Sequence, residues 1–335
     1  MRRLALGLLL LFTAGACVPA AAAGLTPTAP GLHRDAEIFN RVDALLAGRP
    51  GRVWVEMYEF GRADLEARLI QLHEAGCDVR VITDPSVDVS RGAAAVLVAG
   101  GVPVRYYPID DSVHQIDHVK LLIADGAALV GGMNWGATSW RNHDYALDVG
   151  EPADVQRLAT IYAQDWALAG GHPQPLAVDP GGPLYQTAPG DEIRMRLLGL
   201  IDGATRSISA EVFVLSDPDV IAALGLAHLR GVRVRVLLDP NQDSNLASCS
   251  ALRAAGVDVA WFPVAPGQKL HAKAGLFDSV LLLGSANWSV SGLSSNHELD
   301  IDTRAPSQTT AFGAWFEADW ALARPWWKWW LGLAC

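Results

Sequence analysis

The sequence predicts an α/β protein built from two tandem copies of one α/β sandwich unit, each a mixed sheet flanked by helices. Three observations predict it. Runs of β-branched and apolar residues alternate with helical stretches of about 10–15 residues, the pattern of α/β units. The elements recur at a nearly constant offset, as from Glu37 to Glu192, 155 residues apart. There are only two copies, each long enough for its own core, so the repeat is a duplicated domain and not a solenoid. With 335 residues, half of them hydrophobic and 19% charged, the chain has the composition of a folded protein with room for two cores.

Residues 1–24 read as a secretory signal peptide. Arg2 and Arg3 precede an apolar run, Leu4 to Phe12, too short to span a membrane, and Ala20 to Ala23 offer an Ala-x-Ala cleavage site. This predicts export. Ala14-Gly15-Ala16 before Cys17 leaves a lipoprotein anchor at that cysteine as the alternative. Without the leader, Cys77, Cys249 and Cys335 remain, an odd number from which no pairing follows.

The first copy is expected over residues 30–170 and the second over 191–324. Helices opening at Glu37-Ile38 and Glu192-Ile193 run to Gly48 and Gly203. Strands Val53-Trp54-Val55-Glu56 and Ile208-Ser209-Ala210-Glu211 follow. A further helix in each copy leads to Val79-Arg80-Val81-Ile82 and Val234-Arg235-Val236-Leu237, which exit into Asp84-Pro85 and Asp239-Pro240. Each copy closes on a helix, carrying Asp165-Trp166 or Asp319-Trp320. The Pro- and Gly-rich stretch 171–190 reads as a linker. Residues 325–335 form a Trp-rich tail.

The chemistry sits at matching places. His118-Val119-Lys120, Asp125 and Gly131-Gly132-Met133-Asn134 in the first copy pair with His271-Ala272-Lys273, Asp278 and Gly284-Ser285-Ala286-Asn287 in the second. Asn142-His143-Asp144 pairs with Asn296-His297-Glu298. On an extended strand, residues i and i+2 share a face, so each His projects with its Lys. A hairpin turning at Asp125-Gly126 or Asp278-Ser279 would carry Asn134 or Asn287 back beside them. Each set offers a nucleophile or base, a cation and an amide donor, which suits a phosphate. Two facing sets would put one imidazole on each side of a phosphorus atom, one to attack and one to protonate the leaving oxygen. A lone His-x-Lys would be a surface strand pair; the duplicate with its companions reads as catalytic.

These motifs resemble the signature of the phospholipase D superfamily over roughly residues 35–324. The resemblance implies two phospholipase D-like domains packed about a pseudo-twofold axis with both motifs in one cleft. It also implies a covalent phosphohistidine and no metal or other cofactor. Lys120, Lys273, Asn134 and Asn287 would hold the phosphate, and Asp144 and Glu298 would orient the catalytic histidines. The usual assignment makes His118 the nucleophile and His271 the general acid. The copies differ: Gly132 stands where the second copy has Ser285, and Gly136 where it has Ser289. Both serines are candidates to bind substrate, and a Gly-Gly form followed by a Gly-Ser form is familiar from lipid-acting members, including cardiolipin synthases.

Asp125 and Asp278 read as supporting turn residues. Glu56 and Glu211 could reach the cleft or serve as strand-end or interface carboxylates. His143 and His297 fit either support of the catalytic residues or packing. No spacing resembles a zinc motif. The tail Trp326-Trp327-Lys328-Trp329-Trp330 suits a membrane interface, a docked tail or base stacking. The net charge of −10 argues against a general nucleic-acid binder, whose affinity rests on a basic surface. The leading expectation is an exported phosphodiesterase that cleaves or transfers a phospholipid phosphodiester at a membrane surface. It would act as a monomer, since one chain holds both half-sites. The alternative is a secreted nuclease acting on DNA or RNA, because Asn-Trp-Gly and Asn-Trp-Ser resemble some nuclease-like members. A non-catalytic phosphate-binding scaffold is disfavoured by two intact motifs.

Overall fold

The computed structural model describes residues 31–172, 182–188 and 190–323. The leader with Cys17, most of the prolines of 171–190, and the Trp-rich tail with Cys335 lie outside the described residues. The first half runs β1 (Leu32–Arg34), α1 (Glu37–Ala47), β2 (Arg52–Met57), α2 (Ala63–Glu74), β3 (Asp78–Thr83), α3 (Asp88–Ala99), β4 (Val104–Tyr106), β5 (Lys120–Ala124), β6 (Ala127–Gly131), β7 (Tyr145–Val149) and α4 (Pro152–Ala169). The second runs β8 (Leu184–Thr187), α5 (Glu192–Gly203), β9 (Ser207–Val212), α6 (Pro218–Leu229), β10 (Arg233–Leu238), α7 (Ser244–Ala254), β11 (Asp258–Trp261), β12 (Lys273–Phe277), β13 (Val280–Gly284), α8 (Val290–Ser294), β14 (Glu298–Thr303) and α9 (Pro306–Ala323).

Each half forms a seven-stranded mixed sheet, in the orders β1-β7-β6-β5-β2-β3-β4 and β8-β14-β13-β12-β9-β10-β11. The two orders are the same. Three parallel strands (β2, β3, β4; β9, β10, β11) join an antiparallel hairpin through β5 or β12. The expected α/β architecture is present in both copies. The expected linker differs in one respect: its residues 184–187 form β8, which pairs antiparallel with β14. Pro and Gly dominate the segment, but Leu184 and Thr187 are buried and Tyr185 and Gln186 partly so, which is edge-strand burial that composition alone conceals.

Two outer cores lie under the helices of each half, one around Val42, Leu69 and Val81, the other around Leu197, Leu224 and Val236. A third core contains residues of both halves, among them Leu121, Val130 and Tyr162 from the first and Ala274, Leu283 and Phe312 from the second. Full burial of each large apolar side chain stabilises by about 1.5–3 kcal/mol. The central core therefore makes the two halves one cooperative body. The ends of β5 and β12 carrying the His-x-Lys motifs meet across it.

Candidate active site

The hairpin register delivers the motif residues to one end. Leu121 faces Val130, so Lys120 at the start of β5 lies beside Gly131 at the end of β6, and Asn134 emerges next to them. Ala274 opposite Leu283 does the same for Lys273 and Asn287. The segment before each motif is tied down by the Asp-Pro at the end of a neighbouring strand. Asp84 accepts the Asp117 N–H and Asp239 accepts the Leu270 N–H, both at 2.7 Å. At the far end, Asp125 and Asp278 adopt left-handed φ of 49° and 53°. Their carboxylates accept N–H groups from Gly51 and Arg52, and from Thr205, Arg206 and Ser207. They staple the hairpin turn to the start of β2 or β9, away from the histidines.

The catalytic candidates are wired across the halves. Nδ1 of His118 lies 2.8 Å from Oε2 of Glu298, and Nδ1 of His271 lies 2.7 Å from Oδ2 of Asp144. Each imidazole is thus held at Nδ1 by the carboxylate of the other copy, and Nε2 of His271 lies 3.2 Å from Nζ of Lys273. All four side chains are buried. Backbone bonds bring the strands together: His118 N–H donates to the His297 carbonyl and His271 N–H to the His143 carbonyl, both at 2.8 Å.

Burial dominates the electrostatics. It pushes Lys120 down to about 7 and Lys273 to about 8, with the Glu298 and Asp144 carboxylates acting in the other direction. Burial, then the neighbouring Lys273, lowers His271 to about 3. His118 is lowered well below its ordinary value by burial, then by Lys120 and Lys273. Both imidazoles are therefore neutral at pH 7. Burial raises Glu298 to about 7, against Lys120 and the hydroxyl of Ser285. Burial penalises both ammonium groups, which donate to the carbonyls of His118 and His271. A phosphate placed between them would relieve that penalty.

The two half-sites are not equal. Ser285 Oγ donates to Glu298 at 2.6 Å and accepts the Leu299 N–H at 2.9 Å, so the structure places this hydroxyl on the carboxylate. Asn296 adds a second donor to Glu298 at 3.1 Å. At Gly132 the Asp144 carboxylate occupies the space a side chain would need. Ser289 caps α8, accepting the Gly292 N–H at 3.2 Å. At Gly136 the space is taken by Glu59, whose Oε2 accepts from Asn134 at 3.0 Å. Oδ1 of Asn134 and Oδ1 of Asn287 are buried without a protein partner.

Sequence reading missed the residues under the histidines. Tyr58 meets His118 edge-on at 4.8 Å and lies 5.0 Å from Lys120, while Phe213 lies 4.7 Å from His271 and 4.9 Å from Lys273. Tyr58 and Phe213 are equivalent positions just after the paired Glu56 and Glu211, and that shared aromatic character was the available signal. Glu59, opposite Val214, is a second miss.

The profile described as "Cardiolipin synthase, PLD-like domain" matches this chain twice, over residues 46–166 and 197–320. The chain belongs to this phospholipase D-like family. It is 28% identical over 275 residues to "Cardiolipin synthase 2" of Bacillus anthracis, spanning 69% of this chain and 52% of that protein. It is 36% identical over 131 residues to "Mitochondrial cardiolipin hydrolase" of Xenopus laevis, spanning 39% of this chain and 62% of that one. The chain spans about half the length of the bacterial relatives it matches. Its fold superposes on phosphatidylserine synthase of Haemophilus influenzae with a TM-score of 0.67 at 11% identity, covering 87% and 85% of the two chains.

These relatives correct one expectation. Export was read from a basic start and a short apolar run, but the bacterial relatives are cardiolipin synthases and give export no support. That local pattern does not by itself separate a cleaved leader from other N-terminal segments. Among the described residues no helix is long and apolar enough to cross a membrane.

Proposed function

We propose that the chain is a phosphodiesterase or phosphatidyltransferase acting on the phosphodiester of a phospholipid. The observation that carries this reading is the crossed pair of His–carboxylate contacts, His118 with Glu298 and His271 with Asp144, flanked by two desolvated lysines. The cardiolipin-directed names of its relatives favour a lipid substrate. The substrate phosphate sits between Lys120 and Lys273 and accepts from Asn134 and Asn287. Nε2 of neutral His118 attacks phosphorus, and the bond from phosphorus to the leaving alcohol oxygen breaks. His271, protonated once the phosphate anion offsets Lys273, gives its proton to that oxygen. Water or a second lipid alcohol then attacks the phosphohistidine, neutral His271 accepts its proton, and His118 is released. Glu298 stabilises the positive charge that develops on His118, and Asp144 does so for His271.

Product release from mixed phospholipid vesicles and from single-stranded DNA, side by side, tests the reading. Headgroup, phosphatidate or transferred lipid should appear with wild type and vanish with His118→Ala. DNA cleavage without lipid turnover would refute the lipid assignment, and retained turnover in the variant would refute the catalytic one.

A further inference from the structure

Two buried clusters flank the catalytic pair, and they are built from equivalent residues. One contains Glu56, Asp165 and His297; the other contains Glu211, Asp319 and His143. In each, the histidine comes from one half and both carboxylates from the other. Their hydrogen bonding separates them. His143 is saturated: Nδ1 is 2.9 Å from Asp35, and Nε2 is 2.8 Å from Glu211 and 3.1 Å from the Tyr145 hydroxyl. Tyr145 also donates to Glu211 at 2.9 Å. That cluster is an ion-pair network, and although burial opposes it, Glu211 and Asp35 raise His143 to about 10.

His297 is arranged differently. Its Nδ1 lies 2.9 Å from the Ala188 carbonyl, an acceptor only, so Nδ1 carries a hydrogen and Nε2 is the atom left to bind a metal. Although burial opposes it, Asp165 and Tyr107 raise His297 well above its ordinary value, so an ion binding here displaces the Nε2 proton. Nε2 faces Oε1 of Glu56 and Oδ2 of Asp165, each at 3.4 Å. Neither contact is a hydrogen bond. Both oxygens of Glu56, Oδ2 of Asp165, Nε2 of His297 and the nearby Tyr162 hydroxyl are buried without a partner. Glu56 and His297 are fully buried and Asp165 is 3% exposed. These three ligand atoms lie within 4.8 Å of one another and make no short hydrogen bond, so a cation can take the place of the Nε2 proton. An ion with tetrahedral bonds of about 2.0–2.1 Å holds its ligands about 3.3–3.4 Å apart, the separation of each carboxylate oxygen from Nε2. The carbonyl behind Nδ1 is the usual support of a metal-bound imidazole.

We propose that Glu56, Asp165 and His297 form a structural site for a divalent transition ion of the zinc class, tying the two halves together beside the catalytic centre. Imidazole with two carboxylates suits such an ion. His297 precedes Glu298, and its carbonyl accepts the His118 N–H, so the ion would anchor the strand that presents Glu298 to His118. The ligands lie too far apart in the chain to form any sequence motif.

The test uses the full chain. Metal content is measured on protein purified without chelator. Chelator-stripped protein is then titrated with Zn²⁺, and with Co²⁺ to read the visible absorption of a four-coordinate site, with melting temperature followed in parallel. The expected result is one equivalent per chain, a rise in melting temperature on metal addition, and about 100-fold or greater loss of affinity in Glu56→Gln and Asp165→Asn. Glu211→Gln, in the ion-pair cluster, should keep its one equivalent. Wild-type protein that carries no metal, takes up none after stripping and melts unchanged would overturn the proposal, whatever the fate of the variants. So would binding lost in Glu211→Gln and kept in Glu56→Gln.

Discussion

Replacing Lys120 with Met should stabilise the protein while removing its activity. Lys120 is 4% exposed, and burial brings its ammonium from 10.5 down to about 7. At neutral pH that depression corresponds to a folding penalty on the order of 4 kcal/mol. Methionine retains the length and apolar stem of lysine without the charge. The substitution also removes the charge-assisted hydrogen bond to the His118 carbonyl, worth about 2 kcal/mol, while the attraction to Glu298 is already contained in the net depression. The net expectation is a gain of about 2 kcal/mol and a rise in melting temperature of about 3–6 °C.

The pH dependence supplies an internal control. Below about 7 both folded and unfolded chains hold the Lys120 proton. Between about 7 and 10.5 only the unfolded chain does, so it binds more protons there and wild-type stability climbs with pH. The advantage of Lys120→Met should be largest at or below pH 7 and shrink toward pH 10. Denaturant unfolding of both proteins across that range measures it. A variant less stable than wild type at pH 7 would refute the reasoning, because Lys120 would then be a net stabilising partner of Glu298.

Further outcomes follow from the same site. Asp144→Asn and Glu298→Gln should each lower kcat by about 10²–10⁴, checked by steady-state kinetics, because each leaves an imidazole of the other half without its anchor. With a diester whose aryl leaving group needs no proton, His271→Ala should accumulate phosphoenzyme in acid-quench experiments and His118→Ala should not; the reverse would exchange their roles. Tungstate affinity, measured calorimetrically, should fall as pH rises past about 8, where Lys273 joins Lys120 in losing its charge; a flat profile from pH 6 to 9 would contradict the assigned phosphate cradle. Ser285→Ala should cost about 1–2 kcal/mol in unfolding free energy, since it strips a donor from buried Glu298 and a partner from the Leu299 N–H.

Much of this site could be read from spacing because duplication makes local patterns self-verifying. A single His-x-Lys says little, but His118 and His271 with Lys, Asp, Gly and Asn at one offset identify a half-site twice over. Local patterns could not show which half supports which residue. Asp144 lies 26 residues after His118 in the chain, yet it holds His271, because the contact is made by packing across the central core. For the same reason Glu56 and His297 gave no clue that they meet, and Ser285, suggestive of substrate binding by its hydroxyl, instead faces Glu298. The edge strand at 184–187 was hidden by the prolines around it.

The crossing also accounts for the inequality of the two copies. Ser285 and Asn296 both donate to Glu298, so the second half fixes the carboxylate that holds His118 with two side-chain donors. Asp144, which holds His271, has Gly132 beside it in place of a serine and accepts the Tyr145 N–H. A nucleophile must keep one position through attack and release, because a small misplacement is magnified in rate. A general acid exchanges its proton with two successive oxygens and tolerates a softer hold. The firmer anchoring falls on His118, in keeping with its assignment as nucleophile. If that is the cause, Asn296→Ala should slow phosphoenzyme formation more than its breakdown in single-turnover measurements, and equal slowing of both steps would remove the argument.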